Sequence, residues 1–308
     1  MTDSFSIAQS ALDTAAALPL MRTAIVHPVT AESLDAAVEA AEAELLDPVL
    51  IGPRAKVEAA AKEAKEDVSG FEIIDTEHSH EAAEVAARMA AAGEVAALMK
   101  GSLHTSELLA AVVADKRLRT ERRMSHAYVL EMEEFPKPLI VTDSGMNVAP
   151  DLKTKADIAQ NAADLFALLS GGARPAKIAV LAAVETVKPE MPVTIDAAAL
   201  CKMADRGQLE RCLVDGPLAF DNAISKEAAR IKGIVSEVAG DPDILLVPDV
   251  EAGNMLAKQM TFLSGAEAAA TVLGARCPII LPSRSDTLRT RLLSCALAVN
   301  VAAAQKRI

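Results

Sequence analysis

The stretch "CPIILPSRSDTLRT" sets hydroxyl, guanidinium, hydroxyl and carboxylate side by side at Ser283, Arg284, Ser285 and Asp286. An apolar run ending at Leu281 and a break at Pro282 precede them, and a helix-like run resumes behind them. Ser285 or Asp286 can cap that helix, which the pattern starts near Ser285. Capping leaves Arg284 unexplained, because a cation is unfavourable beside a helix N-terminus unless an anion lies there. Free first-turn N–H groups, the helix dipole and a guanidinium fork together suit a phosphate.

Four further polar clusters follow apolar runs. "LMKGSLHTS" carries Lys100, Ser102, His104 and Thr105, and "VTDSGMN" carries Asp143, Ser144, Gly145 and Asn147. "LVDGPLAFDNA" carries Asp215, Gly216, Asp221 and Asn222, and "VPDVEAGNMLAKQ" carries Asp249, Glu251, Gly253, Asn254 and Lys258. Any one of them is ordinary turn chemistry. Ligands of open α/β sheets sit at the carboxyl ends of strands, so five clusters in such places point to a polar cleft. Of the histidines, His104 and His126 are the two placed to reach it. "DKRLRTERRMSH" gathers Lys116, Arg117, Arg119, Arg122 and Arg123, suited either to solvent or to a polyanion.

The elements that must position these groups alternate along the chain. "TAIVHP", "DPVLIGP", "FEIIDT" and "VAALMKG" are short apolar runs separated by amphipathic helical stretches, the pattern of parallel strands covered on both faces. "MSHAYVLEME" and "KPLIVTD" lie too close for a crossover helix and read as an antiparallel pair. Alternation restarts at "KIAVLAA". The expected fold is α/β, with a first domain of residues 1–149 plus 282–308 and a second of residues 150–281.

Composition narrows the class. The 308 residues carry a net charge of −12, no Trp and one Tyr, which argues against a nucleic-acid surface. No apolar run is long enough to span a bilayer, so no membrane partner is expected. Cys201, Cys212, Cys277 and Cys295 are scattered, so no disulfide framework or zinc site is expected and a reducing cytoplasm fits. No GxGxxG, GxxxxGK[ST] or GxSxG motif is present.

Taken in order, "LMKGSLHTSELLAAVV", "RTERRMSHAYVLE", "PLIVTDSGMNVAPDLKTKADIAQNA", "RGQLERCLVDGPLAFDNAISKEAARIKGI", "DILLVPDVEAGNMLAKQM" and "CPIILPSRSD" resemble the phosphate acetyltransferase/phosphate butyryltransferase family, the butyryltransferase-like branch most closely. The resemblance implies two doubly wound α/β domains around a cleft, an architecture like that of isocitrate and isopropylmalate dehydrogenases. It implies reversible transfer of a short acyl group between coenzyme A and inorganic phosphate, with no metal or prosthetic group and coenzyme A as a substrate. A homo-oligomer, a dimer or larger, is the expected assembly. Ser283 and Arg284 match the family's phosphate residues, which accounts for the arginine. Catalytic roles are expected for Ser283, Arg284, Asp286 and Asp215, and substrate contacts for Ser125, Thr105, Asp143, Ser144, Gly145, Asn254 and Lys258. Two departures stand out: Thr290 occupies the place of a proposed base carboxylate, and Ala111 that of an arginine. Asp286, Asp215 or Glu251 is then left to act as base. A decarboxylating NAD-dependent dehydrogenase of the same architecture and an inactive relative are the alternatives.

Overall fold

A computed structural model describes residues 7–306. Residues up to Glu121 together with those from Ala269 onward form one compact unit, and Arg122–Ala268 form a second.

Unit 1 begins with α1 (Ile7–Ala16), β1 (Met21–Val26), α2 (Ala31–Glu42), β2 (Leu46–Gly52), α3 (Arg54–Ala64) and β3 (Glu72–Asp75). It continues with α4 (Ser79–Ala92), β4 (Ala97–Lys100) and α5 (Thr105–Ala114). The chain returns to it near the start of β10 (Glu267–Leu273), followed by β11 (Ile279–Ile280) and α11 (Leu288–Ala304). Its strands lie in the order β3-β2-β1-β4-β11-β10, all parallel neighbours except the antiparallel β10 and β11. Met21, Ile25, Leu50 and Met99 face one side and pack against Leu34, Val57, Cys295 and Val299 of α2, α3 and α11. Truncating one such side chain, Leu34 for example, would cost about 2–5 kcal/mol. Helices α4 and α5 pack together and α4 packs on β1 and β4. Consecutive crossovers from β1 and β4 therefore leave in different directions, which opens a crevice at their carboxyl ends. Two polar ties hold α11 in place. Arg291 forks onto Glu39 of α2 at 2.6 and 2.8 Å, and buried Asn300 donates to Ala11 O at 2.9 Å.

Unit 2 contains β5 (Ser125–Glu131), β6 (Leu139–Thr142), α6 (Leu152–Leu169), β7 (Ala176–Leu181), α7 (Pro192–Asp205) and β8 (Cys212–Leu218). Short helices α8 (Phe220–Ile224) and α9 (Lys226–Ile231) follow, then β9 (Ile244–Leu246) and α10 (Val250–Phe262). The order is β5-β6-β9-β7-β8; β5 and β6 are antiparallel and the rest parallel.

The expected α/β class and the antiparallel pair are present. The unit bounds differ from the expected division at residues 149 and 281. Ladder hydrogen bonds decide this: β6 pairs with both β5 and β9, which ties residues 125–142 to unit 2. β11 pairs with β4 and with β10, which draws most of β10 into unit 1. The last helix starts at Leu288 rather than near Ser285, because Thr287 is its cap and accepts from Thr290 N at 3.1 Å.

Candidate active site

The crevice of unit 1 holds a cavity of about 350 Å³ at the carboxyl ends of β1, β4 and β11. Each strand hands its wall to the loop that follows it. Behind β1 stand Thr30, Glu32, Ser33 and Asp35; behind β4, Lys100, Ser102 and His104; behind β11, Ser283 and Arg284. The strands approach closely here. Gly101 N donates to Val26 O and Ser102 N to His27 O, each at 2.9 Å.

Three hydroxyls form one network. Ser102 Oγ lies 2.9 Å from Thr30 Oγ1 and 2.8 Å from Ser33 Oγ, and Ser33 Oγ also donates to Thr30 O at 2.9 Å. The opposite wall is a tight turn. Asp286 N donates to Ser283 O at 3.0 Å, Ser283 N donates to Asp286 Oδ2 at 2.8 Å, and the Ser283 and Ser285 hydroxyls lie 3.0 Å apart. Asp286 thus fastens the turn that presents Ser283 and Arg284, a task placed before the helix cap and not within it.

The cations of the cavity differ in their engagement. Arg291 is engaged by Glu39 and by Asp286 O at 2.9 Å. Arg284 is exposed at the cavity wall with no carboxylate pairing to its guanidinium among the described residues. Lys100 is half-buried, and its Nζ donates to Gly101 O at 3.2 Å. Burial, and then the charge of Arg284, push the Lys100 ammonium below its usual range, with Asp286 acting in the other direction. On the α2 wall, burial and then Glu39 raise the Asp35 carboxyl, which Arg291 partly offsets.

Thr105 is the first residue of α5, next to the cavity residue His104, and does not itself line the cavity. The other expected residues belong to unit 2. Asp143 is buried, and its carboxylate accepts from the N–H groups of His126, Gly145, Met146 and Asn147 and from the Asn147 amide. It holds the loop that carries Ser144 and Gly145. Buried Ser125 accepts from Asn161 Nδ2 at 3.0 Å, and Ser144 Oγ donates weakly to Val141 O at 3.4 Å. Asn254 donates to Ser144 O at 3.4 Å, and Lys258 is exposed on α10. Asp215 is half-buried on β8 and accepts from Gly216 N at 2.8 Å. His126 is buried against Tyr128, and burial holds its imidazole well below the usual range, opposed by Asp143. The basic stretch is largely engaged in unit-internal contacts: Arg117 pairs with Asp115 and Arg122 with Asp164.

Thr30, Ser33 and Asp35 were not expected at a site. The strand-end rule that singled out Lys100 and Ser283 applies equally to "VHPVTAESLD" behind β1 and would have found them. Among the described residues no group of three or more His, Cys, Asp or Glu is arranged to hold a metal ion.

Residues 77–299 match the family model described as phosphate acetyl/butaryl transferase. The chain belongs to this family. It is 54% identical to a phosphate acetyltransferase of Rickettsia felis over 279 residues, 90% of this chain and 80% of the relative. It is 38% identical to a phosphate butyryltransferase of Clostridium acetobutylicum over 270 residues, 87% of this chain and 89% of the relative. Among solved structures, a branched-chain phosphotransacylase from Enterococcus faecalis superposes with a TM-score of 0.78 at 27% identity, covering 92% of this chain and 99% of that one. As a member of this family the chain is an acyltransferase, which sets aside the dehydrogenase reading.

Proposed function

We propose that the protein transfers a short acyl group, acetyl first, reversibly between coenzyme A and inorganic phosphate, and that the unit-1 cavity seats the phosphate. The observation that carries the seat is Arg284, a guanidinium held at the cavity wall by the Ser283–Asp286 turn without an ion-paired carboxylate among the described residues. Acetyl is preferred because the relative named for acetyl transfer is 54% identical and the one named for butyryl transfer 38%.

In the direction of acyl phosphate synthesis, a phosphate oxygen attacks the thioester carbonyl carbon. The tetrahedral oxyanion collapses with cleavage of the C–S bond, and the proton of hydrogen phosphate ends on the thiolate, giving acyl phosphate and coenzyme A. Arg284 grips two phosphate oxygens and Ser283 donates a hydroxyl hydrogen bond to the phosphate. Asp286, whose charge acts on Lys100 and whose Oδ2 is held by Ser283 N, is the base that takes the thiol proton in the reverse direction. Asp215 is the second carboxylate with a claim to that role. Thr105 stands beside the seat at the start of α5, while Gly145, Asn254 and Lys258 form the polar surface of unit 2 from which coenzyme A contacts are drawn, held in place by buried Ser125, Asp143 and Ser144. The reaction needs no cofactor beyond its substrates. The free cysteines suit the cytoplasm, and exposed Met255, Phe262 and Leu263 at α10 and just past its end suit a homo-oligomer.

The test is thiol release from acetyl-CoA on addition of phosphate. Arg284→Ala should slow it by about 100- to 1,000-fold, and Arg284→Lys should recover only part because an ammonium cannot form the fork. Near-normal phosphate-dependent turnover in Arg284→Ala would remove the seat from this cavity.

A further inference from the structure

Two cations, Lys100 and Arg284, line the unit-1 cavity without an ion-paired carboxylate among the described residues. Arg284 comes from the loop behind β11 and Lys100 from the tip of β4, strands that are hydrogen-bonded neighbours, so the two side chains rise from adjacent points on the same edge of the sheet. Lys100 continues the run Ala97, Leu98 and Met99, all three buried, and its stem is half-buried with them. An ammonium so placed gives up part of its hydration. Among the described residues its ammonium donates to the neighbouring carbonyl of Gly101 and has no carboxylate within ion-pair distance. The third cation, Arg291, is already neutralised by Glu39. The acidic side chains of the cavity are Glu32 and Asp35 on the α2 wall and Glu107 on α5, whose Oε1 lies 2.9 Å from His80 Nδ1, while the tip of β4 and the turn behind β11 supply the cationic side that an anion would face.

We infer that Lys100 is a phosphate ligand alongside Arg284, and that it sets the affinity for inorganic phosphate and for the phosphoryl end of the acyl phosphate while leaving acyl-CoA binding alone. This rests on the phosphate-transfer reading above and adds a residue to it. A compact ammonium on the strand tip faces an anion that the guanidinium holds from the turn, and Ser102, fixed by Thr30 and Ser33, stands beside it as a neutral donor. Bringing the anion in relieves the repulsion between the two cations, so each makes the other's contact stronger.

The closing experiment uses the full chain and two readouts. Calorimetric titration of the free enzyme with inorganic phosphate compares wild type, Lys100→Met and Lys100→Arg; phosphorolysis of acetyl-CoA gives KM for phosphate and for acetyl-CoA separately. Loss of one charge-assisted contact should weaken phosphate binding by about 10- to 100-fold in Lys100→Met and raise the phosphate KM equally, with the acetyl-CoA KM within about twofold. Lys100→Arg should stay within about fivefold of wild type, since charge and donors are kept. Far-UV circular dichroism confirms folding, and should Lys100→Met not fold, Lys100→Gln is read in its place by the same criteria. Phosphate binding unchanged in the neutral variants, no measurable phosphate binding by wild type, or an equal rise in both KM values overturns the assignment. If wild type turns over with phosphate and the neutral variants bind phosphate normally, Lys100 fails and the reaction stands. If wild type binds phosphate through Lys100 without turning over acetyl-CoA, the ligand stands and the reaction fails.

Discussion

Gly101→Ala tests whether the cavity depends on the close approach of β4 to β1. A Cβ at position 101 would lie 2.5 Å from Val26 O and 2.8 Å from His27 O, both backbone atoms, where ordinary contact begins at 3.4 Å. The tip of β4 must then retreat by about 0.9 Å, the difference between 3.4 and 2.5 Å. That retreat stretches the Gly101–Val26 and Ser102–His27 hydrogen bonds, both 2.9 Å in the native chain. Each is worth about 1 kcal/mol, and the strain of an overpacked interior site adds about 1–2 kcal/mol, for a total near 3–4 kcal/mol if both bonds are lost. Lys100 and Ser102 flank the substitution, so the phosphate seat moves with the strand. Urea denaturation followed by circular dichroism should show the earliest transition shifted by about 1 M, given the slope expected for a chain of this size. The phosphate KM should rise about tenfold or more while the acetyl-CoA KM changes little, because misplacing a charged donor by this much forfeits most of its contact. A variant within about 0.5 kcal/mol of wild type and with an unchanged phosphate KM would refute the reasoning, since the strands would have absorbed the methyl group without moving the site.

Two other outcomes are expected. Asp286→Asn keeps an acceptor for Ser283 N but loses the charge, and should lower turnover by about 100-fold with little change in acyl-CoA KM. Steady-state kinetics showing near-normal turnover there and a large loss in Asp215→Asn would transfer the proton role to Asp215. Unit 2 should lose stability in acid. Against the effect of burial, hydrogen bonds from Lys137 and Lys177 hold the Asp241 carboxyl down at about 2, and those from Arg174 and Lys137 lower Asp243. A carboxyl depressed in the folded state adds stability above its unfolded value near 4, and that stability is lost as pH falls through the folded value. Thermal melts should therefore drop between about pH 4 and about pH 2. Lys177→Met should flatten the drop, and an unchanged slope would show that these pairs do not couple to folding.

Much of this was legible from residue order. Strands β1, β2, β4, β7 and β9 are continuous apolar runs because both faces are covered, and such runs announce themselves. The Ser283–Arg284 pair was legible for an electrostatic reason, a cation where capping alone offers it nothing to bind. The start of α11 was not, since "SRSDTLRT" contains several competent caps and only the folded turn, closed by Asp286 on Ser283, passes that role to Thr287. Thr30 and Ser33 were hidden because their spacing is also that of an ordinary helix start. The unit bounds were hidden for a different reason. They depend on which strand β6 and β11 choose as partners, a long-range choice that local periodicity does not encode.

The return of the chain to unit 1 has a consequence for biosynthesis. Unit 2 is one uninterrupted stretch, Arg122–Ala268, and every ladder among β5, β6, β7, β8 and β9 closes within it, so these five strands can pair as soon as they leave the ribosome. Unit 1 is begun first and finished last. Until residues from Ala269 onward emerge, β4 has a free edge where β11 belongs, and the apolar faces of α1 and α2 have no α11 to cover them. For the time it takes to translate roughly 150 residues, on the order of ten seconds or more, the nascent chain carries a half-built sheet with an unpaired edge, the kind of surface that invites aggregation. The same late segment brings Ser283 and Arg284, so a molecule truncated in translation lacks its anion-binding arginine and its stabilising helix together, and quality control can recognise it by exposed apolar surface alone.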